Sequence, residues 1–313
     1  MKRFSNITTT QLARICKVSQ GTVDRALNNR DGINPETKAR ILKVAKEYDY
    51  VPSLKIKGSV RGQSMLIGVV VYDLYNDYFS KIAMSFVNMA KKVGYSVIFL
   101  FSDKNAKNEI EAIDYLNFIG VDGIVISPVG FGDEFANYLR SISKPIVLIG
   151  NKIQDLPHIG VDDFEATKKL TQRLMQDCEQ EEEIVYFSPV LRKNLDKDNA
   201  QIARCEGFLN AIKQSGRKYR VVKDINELTE DDKNIICSTD YYVLKILKKF
   251  GIDPSRRLAG FDNINALKSM NVRVLTVDYS TDELAVECLK YILGRKYTTK
   301  INYGIVYNTA KEN

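Results

Sequence analysis

From residue 65 onward the chain alternates short apolar, β-branched runs with longer amphipathic stretches, and this alternation narrows the possible folds more than any other feature. Met65-Leu-Ile-Gly-Val-Val-Val71 suits a strand buried on both faces, as parallel sheets require. Runs of the same kind follow at Ser96 to Phe101, Gly123 to Ser127, Pro145 to Ile149, Glu183 to Phe187, Asn234 to Cys237 and Val274 to Val277. Helical periodicity separates most of them, over Tyr78 to Val93, Asn108 to Ile119, Glu165 to Asp177, Asn199 to Gln214 and Asp240 to Phe250. Strands in alternation with helices mean βαβ units, so the expectation is an α/β body of doubly wound parallel sheets. A body of 250 residues is long for one such sheet and comfortable for two. No stretch reaches transmembrane length and no apolar leader opens the chain, so a cytoplasmic protein that neither enters nor crosses a membrane is expected. Its five cysteines are odd in number and lack any C-x-x-C spacing, which fits reduced thiols.

The first fifth of the chain reads differently. Residues 8 to 28 form two short helical patterns around a tight turn, with Leu12, Ala13, Val18, Val23 and Leu27 placed for burial against a third helix. Ser19 is placed to cap the second helix, whose opening turns carry Gln20, Gly21, Asp24 and Arg25. In a helix-turn-helix those are the positions that meet base edges in the major groove. Asn34-Pro-Glu-Thr37 then gives an N-cap, a proline at the first helical position and a first-turn acid, so a third helix opens there.

Charge supports DNA as the partner. Residues 1–63 hold thirteen Lys or Arg against five Asp or Glu, a net charge of +8; the chain totals +7, so the remainder sums to −1. A near-neutral body with one small basic head is the footprint of phosphate-backbone binding.

The order of these signals, from Val18-Ser19 and Thr22-Val-Asp-Arg-Ala-Leu-Asn28 through Asn34-Pro-Glu-Thr37 to Tyr50-Val-Pro52, resembles the head of the lactose-repressor/purine-repressor family of bacterial transcriptional regulators. The blocks Asp73-Leu-Tyr-Asn-Asp-Tyr-Phe79, Val121-Asp-Gly-Ile124, Arg204-Cys-Glu-Gly-Phe208, Gly260-Phe-Asp262 and Glu283-Leu284 extend the resemblance across the body. It implies three parts: a helix-turn-helix head over 1–51, a hinge over 52–63, and a bilobal effector-binding and dimerisation core over 64–313, similar to periplasmic sugar-binding proteins. It also implies an operator-binding homodimer, possibly of higher order, whose affinity for DNA is set by a small sugar- or polyol-like effector. Contacts to DNA are expected from Thr8, Ser19, Gln20, Gly21, Thr22, Arg25, Asn28, Lys55 and Lys57.

Ligands of open α/β sheets bind beyond the carboxyl ends of the strands. Asp73, Ser102-Asp103, Ser127-Pro128 and Gly150-Asn151 follow four strands in turn, while Thr239-Asp240 and Asp262 follow two more. Carboxylates and hydroxyls so gathered suit a sugar, and Tyr72, Tyr75, Tyr78 and Phe79 offer flat apolar surface for its ring. For Tyr78 and Phe79 the alternative is ordinary core packing. From the family, Arg204 carries over as the arginine that forks onto ligand oxygens and Asp262 as the cleft aspartate. The effector set expected is therefore Asp73, Asn76, Phe79, Ser127, Asn151, Arg204, Thr239, Asp240, Asp262 and Tyr279.

Several positions depart from the family. Gly150 stands where an acid is usual, Thr239 where Asn is usual, and Tyr279 where Gln is usual. Ser59 falls where a leucine wedges into the minor groove, beside the poor helix former Gly58. Lys17 replaces the turn glycine, and Asp24 is read as pairing with Arg25 or Arg30. Gly130-Phe-Gly-Asp-Glu-Phe135 mimics a cyclic-dinucleotide synthase signature but lies between a strand and a helix, where chance explains it. His158, the only histidine, excludes a His-based metal cluster and reads as a solvated loop residue. No catalytic triad, metal set or cofactor fingerprint is present, so neither an enzyme nor a cofactor is expected. A sugar-binding transport component is the alternative that the body alone allows; the basic head and missing leader oppose it.

Overall fold

The computed structural model describes residues 9–48, 50, 63–189 and 199–308. Expectations for Thr8, for the hinge with Lys55 and Lys57, and for Ser59 lie outside those residues. Two compact units divide the chain: Met1–Ser64 with Tyr115–Gly120, and Met65–Asp114 with Val121–Asn313.

In the first unit, α1 (Thr9–Ile15), α2 (Gln20–Leu27) and α3 (Pro35–Glu47) enclose a small core of Leu12, Ala13, Cys16, Val23, Ala26, Ile41 and Ala45. Each helix start has its chemical reason. Ser19 Oγ accepts the Thr22 N–H at 3.1 Å, and Asn34 Oδ1 accepts the Glu36 N–H at 2.8 Å ahead of Pro35. Lys17, in the turn between α1 and α2, is held at φ 50°, the left-handed conformation for which glycine is the low-cost residue.

The second unit has two lobes. The first is built on β1 (Leu66–Val71), β2 (Ser96–Phe101), β3 (Gly123–Ile126) and β4 (Ile146–Leu148), a parallel sheet in the order β2-β1-β3-β4. Helices α4 (Asp77–Lys92), α5 (Ala106–Ile119) and α6 (Gly132–Ser141) connect these strands. The chain then passes to the second lobe through α7 (Asp163–Met175), β5 (Ile184–Phe187), α8 (Asn199–Ser215), β6 (Tyr219–Val222) and β7 (Asn234–Cys237). It continues with α9 (Asp240–Phe250), β8 (Arg257–Phe261), the short α10 (Asn265–Ser269) and β9 (Val274–Tyr279). From β9 it returns through α11 (Thr281–Ile292), which packs on α4 and joins it through the Ser85–Thr281 hydroxyl pair at 2.8 Å. It ends the second sheet with β10 (Tyr303–Tyr307), giving the order β10-β9-β8-β7-β5-β6.

The alternation of runs predicted the parallel sheets. It did not find β6 or β10. β6 is short and half exposed, and β10 (Tyr-Gly-Ile-Val-Tyr) reads as a weak apolar run interrupted by Gly304. β10 also pairs antiparallel with β9, because the chain re-enters this sheet from the other lobe. The helix expected after residues 130–135 begins within them, at Gly132, and runs to Ser141.

Candidate functional site: an exposed recognition helix and a polar cleft

On the head, α2 buries Val23 and Ala26 and leaves Gln20, Gly21, Arg25 and Asn28 exposed, with Thr22 half-buried. The amphipathic pattern therefore presents the first turns of the helix, with Ser19 at their cap, to solvent. Asp24 is bound to Arg30 at 3.0 Å, one of its two expected partners, so its carboxylate is occupied. Asn28 turns inward on the helix: its Nδ2 donates to Asp24 Oδ1 at 2.7 Å and to the Asp24 carbonyl at 2.9 Å. Its side chain acts first as part of the C-terminal cap of α2. Gln20 is bound to the hydroxyl of Thr10, which fixes the orientation of the first outward side chain.

In the second unit a cavity of about 390 Å³ opens beyond the carboxyl ends of β1, β3, β4 and β8. That volume is in the range of small-molecule sites, roughly 300–1,000 Å³. Eight expected residues line it: Asp73, Asn76, Phe79, Ser127, Asn151, Arg204, Thr239 and Asp262. Loop geometry explains the placement. Asp73 Oδ1 accepts the N–H groups of Tyr75 and Asn76 at 2.9 and 3.3 Å, folding the β1–α4 loop over the sheet edge. Asn76 caps α4 through the Tyr78 N–H at 3.1 Å. Asn151 ties the two lobes, donating to Tyr72 Oη and Pro128 O and accepting the Ala200 N–H of α8, each at 3.3 Å.

Arg204 forms the floor. A Cβ on Gly207 would sit 2.2 Å from the Phe164 carbonyl, so only glycine lets α8 approach α7 this closely. That approach brings Arg204 Nε to Asp163 Oδ1 at 2.7 Å, while a terminal nitrogen donates to Ser238 O at 2.7 Å and the guanidinium lies 3.6 Å from the centre of the Phe261 ring. Burial pulls the Arg204 pKa down, but Asp163 and Asp262 outweigh it and hold the pKa above the ordinary arginine value. The group is a fixed cation with further N–H donors.

Asp262 stands at φ 101°, a conformation that costs a non-glycine residue energy and so needs surroundings that impose it. Its N–H donates to Val277 O at 3.0 Å and its Oδ1 accepts the Tyr279 hydroxyl at 3.3 Å. Burial raises its pKa, and the Arg204 guanidinium opposes the rise. Donor and acceptor thus face one cavity from neighbouring elements, the arrangement that pairs with adjacent hydroxyls of a polyol.

Two expected residues are not on the cavity wall. Asp240 is fully buried: its two carboxylate oxygens bind Thr276 Oγ1 at 3.0 Å, one also accepts the Ile264 N–H at 3.1 Å, and the group fills the space that Gly260 leaves. It is a structural anchor between α9 and β8. Tyr279 lies behind Asp262 and holds that carboxylate, with Tyr78 edge-on to its ring at 6.4 Å. His158 is also corrected. It is half-buried, with Nε2 at 2.8 Å from Gly150 O, and burial lowers its pKa.

The cavity holds residues outside the expected set. Lys104 lies 3.8 Å from Asp73, and Gln201 Oε1 accepts the hydroxyls of Ser188 and Ser238 at 2.6 and 3.2 Å. Tyr241 and Tyr242 come from α9, whereas Tyr75, one of the aromatics expected to offer a flat face to a sugar ring, stands at the mouth and is 93% exposed. Asp163, the partner of Arg204, was also missed, because an acid in the first turn of α7 reads as ordinary helix capping. Among the described residues no group of three or more His, Cys, Asp or Glu could hold a metal ion.

Comparison with known proteins follows the same division. Residues 9–53 match the model for bacterial regulatory proteins of the lacI family, and residues 64–237 match the model for periplasmic binding proteins and the sugar-binding domain of the LacI family. The catabolite control protein A of Staphylococcus xylosus is 27% identical over 54% of this chain; the match spans about half of that relative's length, 52%. The HTH-type transcriptional regulator RegA of Clostridium saccharobutylicum is 22% identical over 93% of this chain and 94% of its own. Among solved structures, a periplasmic binding protein/LacI transcriptional regulator from Alkaliphilus metalliredigens, complexed with D-xylulofuranose, superposes with a TM-score of 0.65 at 21% identity, covering 79% of this chain and all of that one.

Proposed function

This chain belongs to the LacI family of bacterial regulatory proteins, and from that premise we propose that it represses transcription by binding an operator as a homodimer, under control of a sugar- or polyol-like effector in the cleft. We read residues 1–51 as the DNA-binding part, 52–63 as the hinge and 64–313 as the effector-binding and dimerising core. The observation that carries the reading is the pairing of two sites of opposite character: an exposed α2 face on a head of net charge +8, and a cleft where Arg204 and Asp262 present donor and acceptor together. Ser19, Gln20, Gly21, Thr22 and Arg25 are assigned to the DNA. Asp73, Asn76, Phe79, Ser127, Asn151, Arg204, Thr239 and Asp262 are assigned to the effector, with Tyr279 positioning Asp262. One head covers one half-site, so a two-fold dimer on a palindrome is the geometry that uses it. A cytoplasmic location goes with this function, and among the described residues no helix is long and apolar enough to cross a membrane.

A tryptophan reporter tests the effector half. The chain has no tryptophan, so Tyr75→Trp places a single indole at the cleft mouth. A panel of pentoses, hexoses, disaccharides and polyols is screened for thermal stabilisation. The expected result is that a stabilising compound also shifts the emission of Trp at this site. A compound that stabilises the protein while leaving that emission unchanged binds elsewhere and overturns the assignment.

A further inference from the structure

We propose that the end of the first lobe where the chain enters from the head is an auxiliary phosphate-binding surface for duplex DNA, formed by Lys91, Lys92, Lys144, Arg295 and Lys296. The inference rests on the DNA-binding reading and adds a second binding region outside the helix-turn-helix.

Topology gathers these side chains. The four parallel strands are in register at their amino ends, with Leu66 opposite Ser96, Ile67 opposite Gly123 and Ile124 opposite Ile146. Lys91 and Lys92 close α4 just before β2, and Lys144 stands two residues before β4. Arg295 and Lys296 follow α11, which packs alongside α4. Arg295 reaches this same end, because α11 ends against the start of β3: a Cβ on Gly123 would lie 2.3 Å from the Ile292 side chain. Lys91, Lys92, Arg295 and Lys296 are exposed and Lys144 is half-buried. None of the five makes an ion pair with a carboxylate among the described residues.

Helix ends attract bases through the macrodipole, which accounts for single lysines at the ends of α4 and α11. It does not account for Lys144, which precedes a strand, nor for five bases at one end of a body whose charge sums to −1. The patch lies at the amino ends of the strands, away from the cavity at their carboxyl ends, so it can meet a polyanion without touching the effector. The chain enters at Met65, and the fifteen residue steps from Tyr50 to Met65 span at most about 54 Å even fully extended. A duplex bound by the head is therefore covalently tethered to the chain that enters at this end. Cationic surface and tethered polyanion are complementary, and the interaction expected is with phosphates, without base readout.

The test neutralises Lys91, Lys92, Arg295 and Lys296 together to glutamine in the full chain. Its comparator neutralises four exposed lysines elsewhere in the same unit, Lys107, Lys213, Lys218 and Lys248. Both proteins and the wild type are titrated, over a range of salt, with a duplex that the wild type selects from a random-sequence pool. For every phosphate that the protein no longer neutralises, the slope of log K against log[salt] becomes shallower by about 0.9. The patch variant is expected to have a slope shallower by at least about two and to keep the wild-type Tm, while the comparator keeps the wild-type slope. An unchanged slope in the patch variant, or an equal change in the comparator, overturns the proposal. Wild-type protein that binds no duplex overturns the DNA reading itself, a result distinct from either. Loss of binding to phosphatidylserine vesicles with duplex binding intact would assign the surface to a membrane instead, and would also overturn it.

Discussion

The exposed face of α2 and the polar cleft of the second unit both carry arginine and acid side chains, but they hold them in opposite ways. On α2, Arg25 is exposed, and the Asp24–Arg30 pair beside it is about half exposed on both sides. In the cleft, Arg204 and Asp163 are each close to nine-tenths buried as side chains, and Asp262 is buried with them. An exposed ion pair contributes little to folding, about 0–1 kcal/mol. Removing one partner of a buried pair leaves an uncompensated charge and is far more costly. Head residues should therefore be separable into binding and folding roles, whereas the cleft arginine cannot be. The electrostatic surface assigned to DNA is an addition to a small apolar core; the one assigned to the effector is part of the core.

The largest effect expected follows from that contrast. Arg204→Ala should destabilise the protein by about 3–5 kcal/mol, because Asp163 and Asp262 are left buried without their cation. Thermal or denaturant unfolding checks it, and a loss below about 1 kcal/mol would put Arg204 in the same category as a surface pair.

Asp262→Asn keeps the shape, the strained backbone and one acceptor oxygen. It should leave Tm nearly unchanged and weaken the effector by about 1.5–3 kcal/mol, roughly ten- to a hundred-fold, in calorimetric titration with the compound that stabilises the wild type. On the head, Arg25→Ala should weaken specific duplex binding by about 1–3 kcal/mol with Tm unchanged. Lys46→Ala, exposed on α3 away from the recognition helix, should cost much less. If Arg25→Ala lowers Tm as much as binding, the head is not separable in the way described.

The parts that the sequence made legible are those where a local signal has one structural meaning. Ser19 before an amphipathic helix is such a signal, and Asn34-Pro35 is another; both act as the caps they resemble. The strand ends placed Asp73, Ser127, Asn151, Thr239 and Asp262 on the cavity wall because topology alone brings those ends together, whereas Arg204, on α8, came from the family resemblance. Asp240 was misplaced for the same reason. It follows a strand as the others do, but the direction of its carboxylate is set by Gly260 and Thr276, which lie 20 and 36 residues further along the chain. Asp163 was invisible because its role depends on the close approach of α7 and α8 at Gly207, a long-range packing fact. His158 read as polar and therefore solvated, yet a contact with one backbone carbonyl holds it half-buried.

A smaller effect concerns a group that the cleft does not use. Glu109 of α5 is fully buried and accepts the N–H groups of Val129 and Gly130 at 2.8 and 2.7 Å. Burial raises its pKa to about 7 against the pull of those two amides. Between its ordinary value of 4.5 and about 7 the native state keeps a proton that the unfolded chain has lost, so this group's contribution to stability falls as pH rises through that window. From about pH 5 to about pH 8 the Tm difference between the wild type and Glu109→Gln should therefore move in favour of the variant. A difference that is flat in pH would mean that Glu109 is ionised in the folded protein throughout.

Coupling between the two regions is the central claim, and one titration tests it most directly. Duplex affinity is measured by fluorescence anisotropy, with and without a saturating amount of the compound that stabilises the wild type, for the wild type and Asp262→Asn side by side. The expected result is a change of about 5- to 150-fold in the wild type, in the range of ordinary allosteric coupling, and little or none in Asp262→Asn at the same concentration. Equal duplex affinity with and without the compound, in a wild-type protein shown to bind both, would contradict it: head and cleft would then be two independent sites on one chain.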